Sequence, residues 1–127
     1  MMVLMATTLL VASCSKENKV NKKLDGTWNI VSYSEGGETM TITSPMVMTM
    51  EFEKDTKDNG TYKMTQSEGA ISYSENGTYT LTSDETLTLL SGEVGSTSDA
   101  FNITSYSKTD LTITSASDAT NIIVLTK

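Results

Sequence analysis

Residues 46–53 alternate without a break, with Met46, Met48, Met50 and Phe52 on one side and Val47, Thr49, Glu51 and Glu53 on the other. A helix cannot sort that series into two faces, whereas a strand with one buried face does so at every step, because successive side chains point to opposite sides of the pleat. The same period of two recurs along the chain. Residues 27–34 place Trp28 and Ile30 together, 61–66 place Tyr62 and Met64, 78–82 place Tyr79 and Leu81, and 86–90 place Leu87 and Leu89. Phe101 and Ile103 follow in 100–106, Leu111 and Ile113 in 111–115, and residues 120–126 close the chain. Residues 70–74 either extend a neighbouring strand or form a short one of their own. The count is eight or nine strands.

Short punctuation separates them. Asn59-Gly60 and Asn76-Gly77 carry the strongest hairpin signal, since both residue types tolerate positive φ. Ser83-Asp84 makes a further turn, and residues 36–45 and 91–98 read as loops. Each strand is therefore expected to pair with its neighbour in sequence. An open sheet would expose two β-prone edges to other chains, and twenty-two threonines, mostly on the outward faces, make this surface unusually strand-prone. Closure removes the edges. The expected fold is all-β, a small up-and-down antiparallel barrel spanning residues 24–127.

The lead-in differs in kind. Residues 1–12 are nearly all apolar, yet too few for a spanning helix of ~20 residues, and the run reads as the hydrophobic region of a signal peptide. It ends in Val11-Ala12-Ser13-Cys14, which resembles the bacterial lipoprotein box: small residues give a peptidase access, and the thiol accepts the lipid. The resemblance implies a signal peptide over 1–13, cleavage before Cys14, and lipidation of Cys14. No basic residue precedes the apolar run, so a start somewhat further upstream is expected. Residues 14–23 are polar and lysine-rich and read as a flexible tether. Glu17, soon after the cysteine, is a weak version of an export signal to the cell surface, leaving periplasmic and surface-facing positions both open. The expected location is the bacterial cell envelope, with the outer membrane reached through the lipid.

Composition removes several chemistries. The net charge of −7 comes from nine lysines and sixteen acids, the wrong balance for a phosphate backbone, so nucleic acid is not an expected partner. With no histidine and one cysteine, neither the usual proton shuttle nor a Cys-His nucleophile is available. Three thioethers at Met46, Met48 and Met50 could serve Cu(I) as soft donors, but a methionine-rich core strand produces the same alternation. Residues 55–60 carry Lys57 where a calcium loop needs an oxygen donor, and the pairs Glu51 with Glu53 and Asp84 with Glu85 read as surface carboxylates. No metal, cofactor or catalytic residue is expected, and the protein is read as no enzyme.

Leu24-Asp25-Gly26-Thr27-Trp28, the segments Gly77 to Leu81 and Thr86 to Leu89, and the closing run Ile103 to Ile113 together resemble the lipocalin-like domain of Bacteroidetes-type lipoproteins. The likeness spans residues 24–127. It implies a binding barrel with Trp28 packed across the floor. The helical lead and flanking C-terminal helix of the wider family are not legible here. If a pocket exists, the expected lining is Trp28, Met46, Met48, Met50, Tyr62, Met64, Tyr79, Leu87, Phe101 and Ile113. A barrel of eight strands either fills with side chains or holds one small ligand, and ligand pockets generally begin near ~300 Å³. The expected role is that of a membrane-anchored lipoprotein binding a small hydrophobic or amphipathic molecule. The alternative is a non-enzymatic interaction or structural module with a solid interior, its protein partner unspecified.

Overall fold

A computed structural model describes residues 16–92 and 98–127. Among them the order is helix α1 (Lys16–Leu24), then strands β1 (Gly26–Glu35), β2 (Glu38–Thr41), β3 (Met46–Lys54), β4 (Asn59–Glu68) and β5 (Ile71–Leu81). Strands β6 (Thr86–Ser91), β7 (Ser98–Tyr106), β8 (Asp110–Ser115) and β9 (Ile122–Thr126) complete it. All neighbours are antiparallel, in the order β2-β1-β3-β4-β5-β6-β7-β8-β9, and β9 returns to pair with β1. The eight strands other than β2 thus form the closed barrel expected from the alternation. Cys14 and residues 1–13 lie outside the described residues, as does most of the 91–98 loop.

Closure depends on β1, which is shared by three partners. Its first half, Gly26 to Asn29, pairs with β3, and its second half, Ser32 to Glu35, pairs on that same edge with β2. The opposite edge pairs with β9. The 36–45 segment read as a loop therefore contains a strand, formed because β1 outruns β3 and its free groups need partners. The expectation that every strand pairs with its sequence neighbour fails here alone, at β2 and β3.

Residues 16–23 correct the flexible tether. They form α1, whose buried face is Val20, Asn21 and Leu24, with Glu17 in the first turn and Lys22 and Lys23 in the last, a charge order that suits the helix dipole. The helix closes one end of the barrel, here called the floor. Its C-terminus is fastened by side chains from the barrel: Trp28 Nε1 donates to the Leu24 carbonyl at 2.7 Å, and Lys127 Nζ donates to the carbonyls of Lys23 at 3.1 Å and Asp25 at 2.7 Å. The Lys127 ammonium also sits 4.6 Å from the centre of the Trp28 ring. A helical lead is therefore present, though no C-terminal helix is seen among the described residues.

The two Asn-Gly pairs are not turns. Asn59-Gly60 opens β4 and Asn76-Gly77 lies within β5, so that 71–74 belong to β5 and Ala70 to the turn before it. Their glycines instead make room for aromatic rings. In the β4–β5 register Tyr62 stands opposite Gly77 and Tyr79 opposite Gly60, each ring lying over the partner strand's glycine. A Cβ on Gly77 would come within 2.6 Å of the Tyr62 ring and onto the Leu90 carbonyl; one on Gly60 would come within 2.7 Å of the Tyr79 oxygen and onto the Glu53 carbonyl. Glycine across from an aromatic ring is a known way to bend a sheet into a barrel.

Gly77→Ala should accordingly cost about 1–3 kcal/mol by overpacking, read as a lower denaturant midpoint. Gly92→Ala, whose added Cβ would stand 3.1 Å from the Asn76 carbonyl oxygen, needs only a small adjustment and should cost less than half as much.

Candidate functional site

The barrel interior is divided along its axis. Toward the floor, Leu24, Trp28, Phe52, Tyr79, Leu87, Leu111 and Leu125 are each 1% exposed or less, and the Phe52 and Tyr79 rings meet edge to face at 5.3 Å and 88°. Asn21 of α1 is the polar centre of this plug. Its amide donates to the carbonyls of Thr56 at 2.8 Å and Asn59 at 3.2 Å, while its oxygen accepts from the Tyr79 hydroxyl. Every polar atom of this buried side chain is thereby satisfied, as burial requires. The helix is consequently part of the core.

Toward the other end, the mouth, the side chains no longer meet. A cavity of about 240 Å³ opens there, its walls formed by Ile30 of β1, Met48 of β3, Met64 of β4, Phe101 of β7 and Ile123 of β9. Tyr33, Ser34, Glu35, Asn121 and Ile122 form the rim. It lies where the hairpin of β1 and β2 parts from β3, so that Met48 has no β1 residue beside it. A bulge in β1 aims the rim. The register with β9 slips between Ile30 and Ser32, leaving Val31 unpaired in the count, so Tyr33 stands opposite Ile123 on the inner side. A second bulge at Thr104 does the same in β7, setting Tyr106 opposite Leu111, where its ring receives the Lys23 ammonium at 4.8 Å.

The turns around the mouth are held in place. Gly36 N–H donates to Asn121 Oδ1 at 3.3 Å, joining the β1–β2 turn to the β8–β9 turn. Thr120 donates its amide at 3.0 Å and hydroxyl at 2.7 Å to Asp118, which holds that carboxyl below its usual range. On the β5 side, Tyr62 donates its hydroxyl to Glu75 Oε1 at 2.8 Å. Burial, then this carboxylate, pushes the Tyr62 phenol well above its ordinary value. Burial likewise raises Tyr79, with the Asp25 charge adding to it and the Asn21 bond opposing it.

Three of the ten residues expected to line a pocket, Met48, Met64 and Phe101, do line this cavity. Trp28, Met50, Tyr62, Tyr79, Leu87 and Ile113 are buried in the packed interior instead, and the half-buried Met46 sits at the mouth end of β3 without reaching the cavity wall. The three β3 methionines are thus spread along the barrel axis. Tyr33, Ser34, Glu35 and Asn121 escaped sequence reading. A bulge that resets the period of β1 and the return of β9 to β1 bring them together, and neither leaves a local trace in the sequence.

Fold and cavity together define the class: a small closed antiparallel barrel, solid at one end and open to an apolar pocket at the other. The family model for the lipocalin-like domain matches residues 24–113, and the chain belongs to that family. Among solved structures, the chain is similar to a redesigned β-barrel at 18% identity and a TM-score of 0.58, over 84% of this chain and 93% of that one. It is also similar to a second redesigned β-barrel, mFAP1, bound to DFHBI, at 19% identity and a TM-score of 0.55, over 84% of this chain and 97% of that one. At such identities the likeness is one of fold. No curated protein matches the chain.

The raised tyrosines predict a pH response. A phenol that ionises later in the folded chain than in the unfolded one contributes fully below the unfolded pKa of about 10 and loses that contribution as pH rises toward the folded value. Unfolding free energy should therefore fall more steeply above about pH 10, each tyrosine adding about 1.4 kcal/mol per pH unit to the slope. Denaturant titrations across that range should show a shallower fall for Tyr62→Phe than for the parent chain.

Proposed function

We propose that the protein is a lipid-anchored binding protein of the bacterial envelope that takes one small hydrophobic or amphipathic molecule into the mouth of its barrel. The carrying observation is the apolar cavity of about 240 Å³ between Ile30, Met48, Met64, Phe101 and Ile123. Its size is a little under the ~300 Å³ at which ligand pockets generally begin, so the guest is small, on the scale of one fused pair of rings. The redesigned barrel bound to DFHBI supports the reading that this architecture accommodates such a guest. The role is binding, not catalysis: the side chains around the cavity are apolar apart from rim groups that have no nucleophile and base in partnership.

The anchor forms the second part of the proposal. Cys14 would carry the lipid after removal of residues 1–13, and Bacteroidetes-type lipoproteins supply the likeness. Since α1 begins at Lys16 and docks on the floor, a lipid on Cys14 would hold the floor toward the bilayer and turn the mouth away from it. The cavity would then open to the aqueous side, whether periplasm or cell exterior.

One observation favours a second reading, an interaction module. Ile71 and Tyr73, on the β4–β5 hairpin beyond the mouth, are 79% and 52% exposed, and apolar side chains this open are common at contact surfaces. Titration with an apolar fluorescent dye separates the two. The parent chain should bind the dye, and Met64→Trp, which fills the cavity, should weaken binding at least tenfold while leaving thermal stability nearly unchanged. A parent chain that binds no dye would leave the interaction module as the better reading. Independently, Cys14→Ser should abolish incorporation of labelled fatty acid and release the protein from the membrane fraction.

A further inference from the structure

The lysines are sorted along the barrel axis. Lys16, Lys19, Lys22 and Lys23 lie on α1, Lys54 donates its amide to Asp25, and Lys57 belongs to the β3–β4 connection that Asn21 grips. Lys108 lies in the β7–β8 turn beside Lys127, whose amide bonds Thr109, and Lys127 itself caps α1. Eight of the nine lysines are thus at the floor, and the ninth, Lys63, is on the outer face halfway up β4. The mouth half has none. It carries Glu35, Glu38, Glu68, Glu75, Asp99 and Asp118 among the described residues.

One of these carboxylates belongs to the cavity rim, and two more stand next to residues of its wall along the strands. Glu35 is part of its rim. Glu75 stands opposite Met64 in the β4–β5 register, and facing residues of paired strands share a side with Cβ atoms about 5 Å apart. Asp99 stands opposite the buried Leu89 on the inner face of β7, two residues before Phe101, and its charge acts on Tyr62 beside Glu75. An apolar cavity with one acid at its rim, two beside its wall and no lysine in its half of the barrel has negative potential, and low-dielectric walls concentrate the field at its opening.

Taking the cavity as the binding site proposed above, we infer that its ligand is an amphipathic cation, an apolar ring body with an ammonium or comparable positive group that stays at the rim near Glu35, Glu75 and Asp99. The apolar body replaces poorly hydrated space against Met48, Met64 and Phe101, while the charged end remains partly in water and escapes the cost of full burial. An anion of the same shape would meet three like charges and no counter-ion.

The test uses three matched probes of one shape and size: naphthylmethylammonium, naphthylmethanol and naphthoate, titrated calorimetrically into the full chain near neutral pH at low salt. The cation should bind at least tenfold more tightly than the anion, with the alcohol between them, and raising the salt should narrow the gap by screening. Glu35→Gln combined with Glu75→Gln should cut the preference for the cation over the anion severalfold, with an unchanged far-ultraviolet circular dichroism spectrum showing that the variant is folded; a preference left whole in the folded variant would overturn the charge inference. If the alcohol binds but cation and anion bind alike, the charge inference is overturned while the cavity stands as a binding site. If none of the three binds, the cavity reading itself falls.

Discussion

Strand β1 carries the structure because, among the described strands, it alone pairs with three others. One edge is divided between β3 and β2, the other is given to β9, and Asp25 alone separates α1 from its first residue. Buried or strand-like backbone groups need partners, and a sheet this rich in threonine would otherwise offer two edges to other chains. Sealing β1 to β9 meets both needs together. Handing over from β3 to β2 halfway along, however, opens the wall near the mouth. The cavity is the geometric consequence of that handover.

The floor is solid for a related reason. Trp28, at the closed half of β1, fills the space between β3 and β9 and gives its indole N–H to the last turn of α1. The helix returns Asn21 to the Tyr79 hydroxyl and to the carbonyls of the β3–β4 connection. A ring, an amide and a helix end thus satisfy one another in a region that admits no water, where a missing partner would cost about 1–3 kcal/mol. The glycines Gly60 and Gly77 leave room for the two tyrosine rings to come close to the neighbouring strand. With the lower half filled in this way, the apolar cavity lies where β1 has left β3.

The strands and the barrel were legible in the sequence because period two is a local signal, strongest from Met46 to Phe52, and the structure buries Met50 and Phe52 while leaving Val47, Glu51 and Glu53 exposed. The helix was not, because its buried face has only Val20 and Leu24 as apolar members, its third being Asn21, whose burial is made possible by partners far away in sequence. The Asn-Gly pairs misled for an instructive reason: tolerance of positive φ and absence of a side chain are both properties of glycine, and here the chain uses the second. Bulges at Val31 and Thr104 defeat an alternation count by design, since an extra residue resets which side chains face in. Met48, Met64 and Phe101 keep the facing that their alternation gives them because no bulge separates them from their pattern, whereas Tyr33 lies beyond one.

Charge placement connects the two ends. Lys22 and Lys23 in the last turn of α1, with Lys127 capping it, suit the C-terminal end of the helix dipole, so these cations are held at the floor by its architecture. The carboxylates there find lysines nearby, as Glu85 does with Lys16 at 3.2 Å. Those of the mouth have no cation of the chain within their half, and the net charge of −7 is concentrated where the apolar wall is open. A folding requirement at one end therefore sets the electrostatics of the other: securing the helix gathers the cations at the floor and leaves carboxylates as the charged side chains of the mouth half among the described residues.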